Sequence, residues 1–428
     1  MSHYASRFGL QLALSAAEKE EVLRQALAQI ERPLRKVLIV PPDITRLNSD
    51  AGFLTNLLYK LLSPSAQVDI IPALGTHFPM REAELRFMFG DEIPLERFFV
   101  HDWRNDVVTL GEVPGELIKE WSEGKLDYAV QVQCNKLLLE GYDLILSVGQ
   151  VVPHEVVGMA NYSKNIVVGV GGSDMINKSH FLGACHGMER IMGLDDTPVR
   201  RLFNYSAEKF LAKLPILYVL TVMAKNPESG EMDMKGLFVG DDDATFAQAV
   251  KLSQQSNLDL MDKPIDKVLV YLDPEEFKST WLGNKAVYRT RMVIADQGEL
   301  IVMAPGLKQF GEDTQIDKLI RKYGYKGTPA TLKAVEENED LRDNLSAAAH
   351  LIHGSSEGRF TIRYCPGPGV SQEEIESVGF AYGDLQEIVD KYKPDELKDG
   401  YNTLPDGEEI FYISNPALGL WALKAQFA

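Results

Sequence analysis

The stretch Lys36-Val-Leu-Ile-Val40, closed by Pro41-Pro42 and continued as Asp43-Ile44-Thr45-Arg46, sets the reading of this chain. An unbroken apolar run of this length fits a strand covered on both faces, and the two prolines end it because they bring no N–H to a ladder. Working outward, similar runs recur at Val68-Asp-Ile-Ile71, Phe98-Phe-Val100, Tyr142-Asp-Leu-Ile-Leu-Ser147 and Ile166-Val-Val-Gly-Val170, after a helical opening from Ala16 to Ile30. Longer mixed segments lie between them, which predicts a mostly parallel, doubly wound sheet. A second series, Lys267-Val-Leu-Val-Tyr271, Leu300-Ile-Val-Met303, Phe360-Thr-Ile-Arg-Tyr364 and Ile410-Phe-Tyr-Ile413, is separated by helical stretches such as Gln372 to Val378. The expected class is α/β: two α/β domains with mostly parallel sheets and an active-site cleft between them. The acidic stretch Val239-Gly-Asp-Asp-Asp243 and the turn near Asp262-Lys-Pro264, with a helix between, are the boundary candidates and give domains of 1–262 and 263–428.

Composition narrows the classes of function. The chain has 428 residues, 45% hydrophobic and 25% charged, enough apolar material for full cores. Its 62 acidic against 44 basic residues give a net charge of -18, which argues against nucleic acid or an anionic membrane as the main partner. An anionic substrate then needs a local basic pocket. Cys134, Cys185 and Cys365 form no CxxC pair, so neither a disulfide framework nor a cysteine zinc site is expected, and a reducing compartment is. The N-terminus lacks a basic-then-apolar signal pattern and no apolar run approaches a membrane span. A cytoplasmic protein is expected.

Ligands of open α/β sheets bind beyond the carboxyl ends of the strands, so polar residues placed there carry functional weight. Val40 is followed by Asp43, Thr45 and Arg46; Ile71 by Gly75-Thr76-His77; Val100 by His101-Asp102; Ser147 by Gln150 and His154-Glu155; and Val170 by Gly171-Gly172-Ser173-Asp174. Each has a plain alternative. Asp43 and Arg46 can be a turn with a local ion pair, a lone loop histidine is usually solvated, and His101 with Asp102 reads first as a strand-end hydrogen bond. Two histidines at equivalent strand ends, His77 and His154, weaken the plain reading, because imidazole exchanges protons near neutral pH.

The densest segment runs from Gly149 to Gly187. Lys164 lies ten residues after His154 and His180 sixteen after Lys164, with the turn Gly169-Val-Gly171-Gly172 between and Cys185-His186 beyond. A lysine before a strand and a histidine on the helix after a glycine turn can hold an anionic or covalently attached cofactor. Equally, Lys164 can be a surface cation and His180 a helix cap. GxGxxG, GxxxxGK[ST], HExxH and HxH patterns are all absent, and a lone His180 does not make a protein-only metal site.

Taken in order, Asp43-Ile-Thr-Arg46, Gly75-Thr-His77, Pro153-His154, Lys164 and His180 resemble the lactate racemase family over most of the chain, and the ten- and sixteen-residue steps look like its spacing. The resemblance implies a nickel-pincer nucleotide, a pyridinium-3-thioamide-5-thiocarboxylic acid mononucleotide attached through a thioamide to Lys164, its nickel held by two sulfurs and one carbon of the cofactor and by His180. It implies that His77 and His154 are an acid/base pair on opposite faces of a 2-hydroxy acid, one removing the hydroxyl proton while hydride passes to the cofactor. Asp43, Thr45, Arg46 and the glycines Gly171 and Gly172 are implied near the cofactor's ribose and phosphate or the substrate carboxylate. Lys285, in Trp281-Leu-Gly-Asn-Lys285, resembles a substrate-binding lysine; the plain alternative is a solvated lysine beside Arg289 and Arg291. Residues 1–262 then become the cofactor-binding domain and 263–428 the substrate-contacting one, with the enzymes that build the cofactor as partners.

Departures bear on the substrate. Met159-Ala-Asn-Tyr-Ser163 replaces a small, glycine-rich stretch before the cofactor lysine, and Leu282 stands where a glutamine is expected. His350-Leu-Ile-His353-Gly-Ser-Ser-Glu-Gly-Arg359 has groups suited to a polyhydroxy chain, or to a capped helix end with a polar loop. The chain is similar to the branch of the family that includes D-gluconate 2-epimerases, so a gluconate/mannonate pair is the leading substrate. Lactate or another short 2-hydroxy acid is the alternative. A nicotinamide-dependent dehydrogenase lacks its GxGxxG here, and a non-catalytic sugar-acid binding protein has no need of an attachment lysine.

Overall fold

The computed structural model describes residues 3–226 and 229–427, which divide into two compact units. The first takes in residues up to 182 and 191–257; the second takes in 183–190 and residues from 258 onward.

The first unit runs β1 (His3–Phe8), α1 (Ala16–Ala28), β2 (Lys36–Val40), α2 (Ala51–Leu62), β3 (Gln67–Ile70), α3 (Glu82–Phe89), β4 (Val107–Val113), α4 (Gly115–Trp121), β5 (Val130–Asn135) and β6 (Leu144–Gln150). It continues through the two-residue strands β7 (Pro153–His154) and β8 (Gly158–Met159), then α5 (Ser163–Val167), α6 (Ser173–His186, which belongs to this unit up to Leu182), α7 (Pro198–Ser206), β9 (Ile216–Lys225), β10 (Met232–Gly240) and α8 (Asp243–Asn257). Six strands form one sheet in the order β1-β10-β9-β6-β2-β3. β9, β6, β2 and β3 are mutually parallel, while β10 runs antiparallel to both of its neighbours. Val37, Ile39, Val68, Ile70, Leu144, Leu146 and Val148 point to one face and pack on Val22 and Leu23 of α1 and Leu54 and Leu58 of α2. Leu38, Val40 and Ile145 point to the other face and are fully buried too, which accounts for the continuous apolar runs. β2 neighbours β3 on one side and β6 on the other, so the winding reverses between β2 and β6. That reversal is the topological switch point, where open α/β sheets bind ligands.

Two expected strands of this unit are not strands. Ile166–Val170 lies in α5 and the turns after it, so Lys164 sits on a helix rather than before a strand. The run is apolar because it is buried on all sides, and a short buried helix cannot be told from a strand by periodicity. Phe98 makes one isolated bridge to Ile70, and Phe99 and Val100 are exposed, so that run is an edge segment and not a covered strand.

The second unit contains β11 (Asp259–Met261), β12 (Ile265–Tyr271), α9 (Thr280–Gly283), α10 (Lys285–Thr290), β13 (Ile294–Ala304), α11 (Thr314–Tyr323), α12 (Thr328–Glu337), α13 (Glu339–Arg342) and α14 (Leu345–His353). There follow β14 (Thr361–Pro366), α15 (Gln372–Ser377), β15 (Ala381–Tyr382), α16 (Leu385–Tyr392), β16 (Gly400–Thr403), β17 (Glu409–Ile413) and β18 (Trp421–Leu423). Its sheet, β15-β14-β13-β12-β17-β16, is parallel except at the edge pair β16/β17. Both units are therefore α/β with mostly parallel sheets, as expected.

The three cysteines are buried and form no disulfide. Burial pushes the Cys134 thiol up to about 11 and the Cys365 thiol up to about 12. No helix among the described residues is long and apolar enough to cross a membrane.

Candidate functional site

At the end of β2 the chain turns through Pro41-Pro42 into a short 3-10 helix, Ile44–Ser49, and the Asp43 side chain caps it by accepting from the Thr45 N–H at 3.1 Å and from the Thr45 hydroxyl. The same carboxylate reaches across to the loop after β3, where Oδ2 of Asp43 lies 2.6 Å from Nδ1 of His77. That loop is held in place by backbone bonds from Ala73 to Pro41 and from Gly75 to Gly169, and Gly75 takes a positive φ of 55° to make the turn. A carboxylate can only accept, so Nδ1 of His77 carries the proton and its Nε2 is left as a proton acceptor on a half-exposed ring. Burial raises the Asp43 carboxyl, but the hydrogen bonds from His77 and Thr45 outweigh it and hold the group below the usual carboxylate range. Arg46 bonds Thr45 rather than Asp43, so the anticipated local ion pair is absent among the described residues.

After β6 the chain enters the two-residue pairing of β7 and β8, which places His154 opposite Gly158. The Val156 N–H donates to Nδ1 of His154 at 3.1 Å, so the neutral ring carries its proton on Nε2. The ring is only 14% exposed, and burial, partly offset by Glu155 and reinforced by the charges of Lys164, His180 and Arg46, holds it neutral. The second ring nitrogens of His77 and His154 are thus complementary, Nε2 of the first an acceptor and Nε2–H of the second a donor.

Lys164 lies on α5, whose next residue fixes the helix at the switch point. Asn165 donates through Nδ2 to the Val40 carbonyl at the end of β2 and to the Ser147 hydroxyl of β6, each at 3.0 Å. Lys164 is not a surface cation. Burial first, then the charge of Arg46, with Glu155 opposing, pushes its amine from the ordinary 10.5 down to about 8. Within α6, His180 donates from Nδ1 to the Ile176 carbonyl at 2.6 Å, so His180 stands mid-helix and caps nothing. This bond leaves the Nε2 lone pair of the neutral ring for a metal, the usual arrangement of a ligating histidine. Burial lowers its basicity further. Among the described residues no three His, Cys, Asp or Glu side chains gather into a cage, so a metal on His180 has to take its other donors from a bound group.

Packing accounts for the glycines before α6. A Cβ at Gly171 would stand 1.9 Å from the Val167 carbonyl oxygen, and one at Gly172 would stand 1.9 Å from the Gln133 amide oxygen. His101 belongs to the same support. Its Nε2 bonds the Gly171 carbonyl at 3.0 Å and its Nδ1 pairs with Asn135 at 3.0 Å, which replaces the strand-end bond to Asp102.

Lys285 begins α10 in the second unit, where its amine lies 3.6 Å from Glu276 and over the Phe277 ring. Arg291 beside it is not solvated: it is buried, bonded to Glu189 at 2.9 Å and to the His353 carbonyl at 3.0 Å. The polar groups of 350–359 are likewise taken up internally. His350 lies between the hydroxyls of Tyr288 and Tyr325, Ser355 bonds Ile352 and Glu357, and Arg359 bonds Asp296 and Glu189. This is the capped helix end, and it offers no support for a polyhydroxy reader.

The first unit is thus a doubly wound α/β domain that carries an Asp–His dyad, a part-buried lysine tied to the switch point through Asn165, a second histidine, and a third whose Nε2 could hold a metal. Residues 11–192 match the family described as Lactate racemase N-terminal domain. A curated relative, the lactate racemase of Thermoanaerobacterium thermosaccharolyticum, is 28% identical over 183 residues, 41% of this chain. The matched part spans 39% of that relative's length. Among solved structures, a structural-genomics crystal structure of a Thermotoga maritima protein is similar with a TM-score of 0.77 at 24% identity, covering 98% of this chain and 100% of that one. The lactate racemase apoprotein from T. thermosaccharolyticum is similar with a TM-score of 0.65 at 17% identity over the same shares. At these identities both likenesses show the fold.

Proposed function

We propose that the protein is an isomerase of 2-hydroxy acids that inverts C2 with a nickel-pincer nucleotide bound through Lys164. One observation carries this reading: a lysine on the helix that Asn165 ties to the switch point has its amine lowered towards neutrality, and its charge bears on a histidine with an available Nε2. The residues fit such a group. The amine can be acylated, His180 can complete a metal sphere whose other donors are cofactor sulfurs, and Arg46 suits a phosphate or carboxylate. When bound, the cofactor supplies an acceptor for the C2 hydride. The chain's own residues do the rest. His77, with Nε2 open and Nδ1 held by Asp43, takes the hydroxyl proton, and His154 holds the oxygen through Nε2–H. Processing the opposite epimer requires His154 in its other tautomer. Arg46 is assigned to the substrate carboxylate, and Gly171 and Gly172 to the cofactor's approach to the start of α6.

The leading substrate is an aldonate, the D-gluconate/D-mannonate pair, supported by the sequence resemblance, while Leu282 in place of a glutamine counts against lactate. A second reading, lactate, is favoured by the curated relative that bears that name. Protein produced together with cofactor-building enzymes, offered gluconate, mannonate and both lactates, tests both. Interconversion of the aldonates is expected; turnover of lactate alone would reverse the order, and turnover of none would leave a sugar-acid binding protein.

A further inference from the structure

The turn that delivers Lys164 is built on an unusual support. Asn161 and Tyr162 both have positive φ, 67° and 58°, a region that side chains other than glycine and asparagine seldom enter, so something must hold them there. Tyr162 is wedged between Phe246 and Tyr218. Beneath the turn lies Arg200 of α7, 2% exposed. Its guanidinium donates to the Asn161 carbonyl at 3.2 Å, to the Ser163 hydroxyl at 2.9 Å and to the Met159 carbonyl, and its plane lies 4.5 Å from the Phe246 ring. No carboxylate pairs with it within salt-bridge distance among the described residues; Asp195 and Asp243 act on it only at longer range. A buried cation held only by carbonyls, a hydroxyl and a ring face is costly, and a neutral hydrogen-bonding side chain would tie the turn as well.

We propose that Arg200 is a positioning residue for Lys164: it clamps the strained turn that leads into the lysine and keeps an unneutralised positive charge close to it. This rests on the reading of Lys164 as the attachment point. The other charged groups acting on Lys164 are Arg46, Glu155 and Asp43, while the charges of Lys164 and His180 both bear on His154. Arg46 is exposed and stays with solvent, whereas Arg200 is fixed.

The test is competitive labelling of the full chain, without added cofactor, by a limiting acylating reagent from pH 6 to 10, reading the Lys164 peptide against exposed Lys333. In the parent protein Lys164 is expected to label with a midpoint near 8. Arg200→Gln should cut the labelling rate at pH 7 by at least about threefold, while Arg200→Lys, which keeps the charge, should stay within about twofold. A parent Lys164 that titrates like Lys333 would sink the attachment reading itself. A normal parent profile with an unchanged Arg200→Gln profile would overturn only the role of Arg200. Should Arg200→Gln not fold, amide exchange across residues 159–163 in Arg200→Lys decides: faster exchange is expected, and unchanged exchange overturns the clamp.

Discussion

The Asp43 carboxylate, 5% exposed, holds Nδ1 of the half-exposed His77 ring at 2.6 Å and thereby selects which ring nitrogen carries the proton. Asp43→Asn keeps the helix cap, since asparagine caps as well as aspartate, so thermal stability should change by under about 1 kcal/mol. The wrong tautomer becomes available, however, and turnover of cofactor-loaded protein should fall on the order of 10²-fold. Unaltered kcat would remove the dyad from the chemistry.

Lys164 gives a stability signature that needs no cofactor. Its folded pKa, about 8, lies below the ordinary 10.5, so below pH 8 the protein must bury a charge that the unfolded chain keeps in water. The penalty is full at pH 7 and vanishes as pH rises from about 8 to about 10.5. Lys164→Met should therefore stabilise the chain by about 2–3 kcal/mol at pH 7, with the gain lost by about pH 10.5. Denaturant melts of both proteins at three pH values check this; a gain independent of pH would contradict the buried charge.

His154 and His180 should separate in their effects. His154→Ala is expected to retain the covalent adduct and the nickel while turnover drops about 10³-fold. His180→Ala should keep the adduct mass but lose metal. Intact mass and metal analysis of the two variants give the comparison, and equal nickel in both would reassign the ligand.

In the second unit Glu189 neutralises buried Arg291 and also meets Arg359 at 3.1 Å. Burial acts to raise the Glu189 carboxyl, but the two arginines hold it below its usual range. Glu189→Gln leaves a buried cation uncompensated and should cost about 3 kcal/mol, read as a lowered denaturation midpoint. A shift under about 0.5 kcal/mol would mean that the carbonyl of His353 suffices.

The strands that carry the site were legible because Val37–Val40 and Leu144–Leu146 are buried on both sides and are apolar throughout. Strand-end position then picked out Asp43, His77 and His154. The bond between Asp43 and His77 was not legible, since it joins loops 34 residues apart, and neither was Arg200, whose partners are backbone carbonyls that leave no mark on side-chain pattern. β9 and β10 were missed as an antiparallel pair at the sheet's other side, and Ile166–Val170 was misread because helix and strand look alike when wholly enclosed.

The three enclosed thiols have a practical consequence. With Cys134 and Cys365 protonated at any physiological pH, maleimides and iodoacetamide should find almost nothing to alkylate on the folded chain. A cysteine introduced at an exposed position would then be a unique attachment point for a dye or spin label, on an otherwise wild-type background.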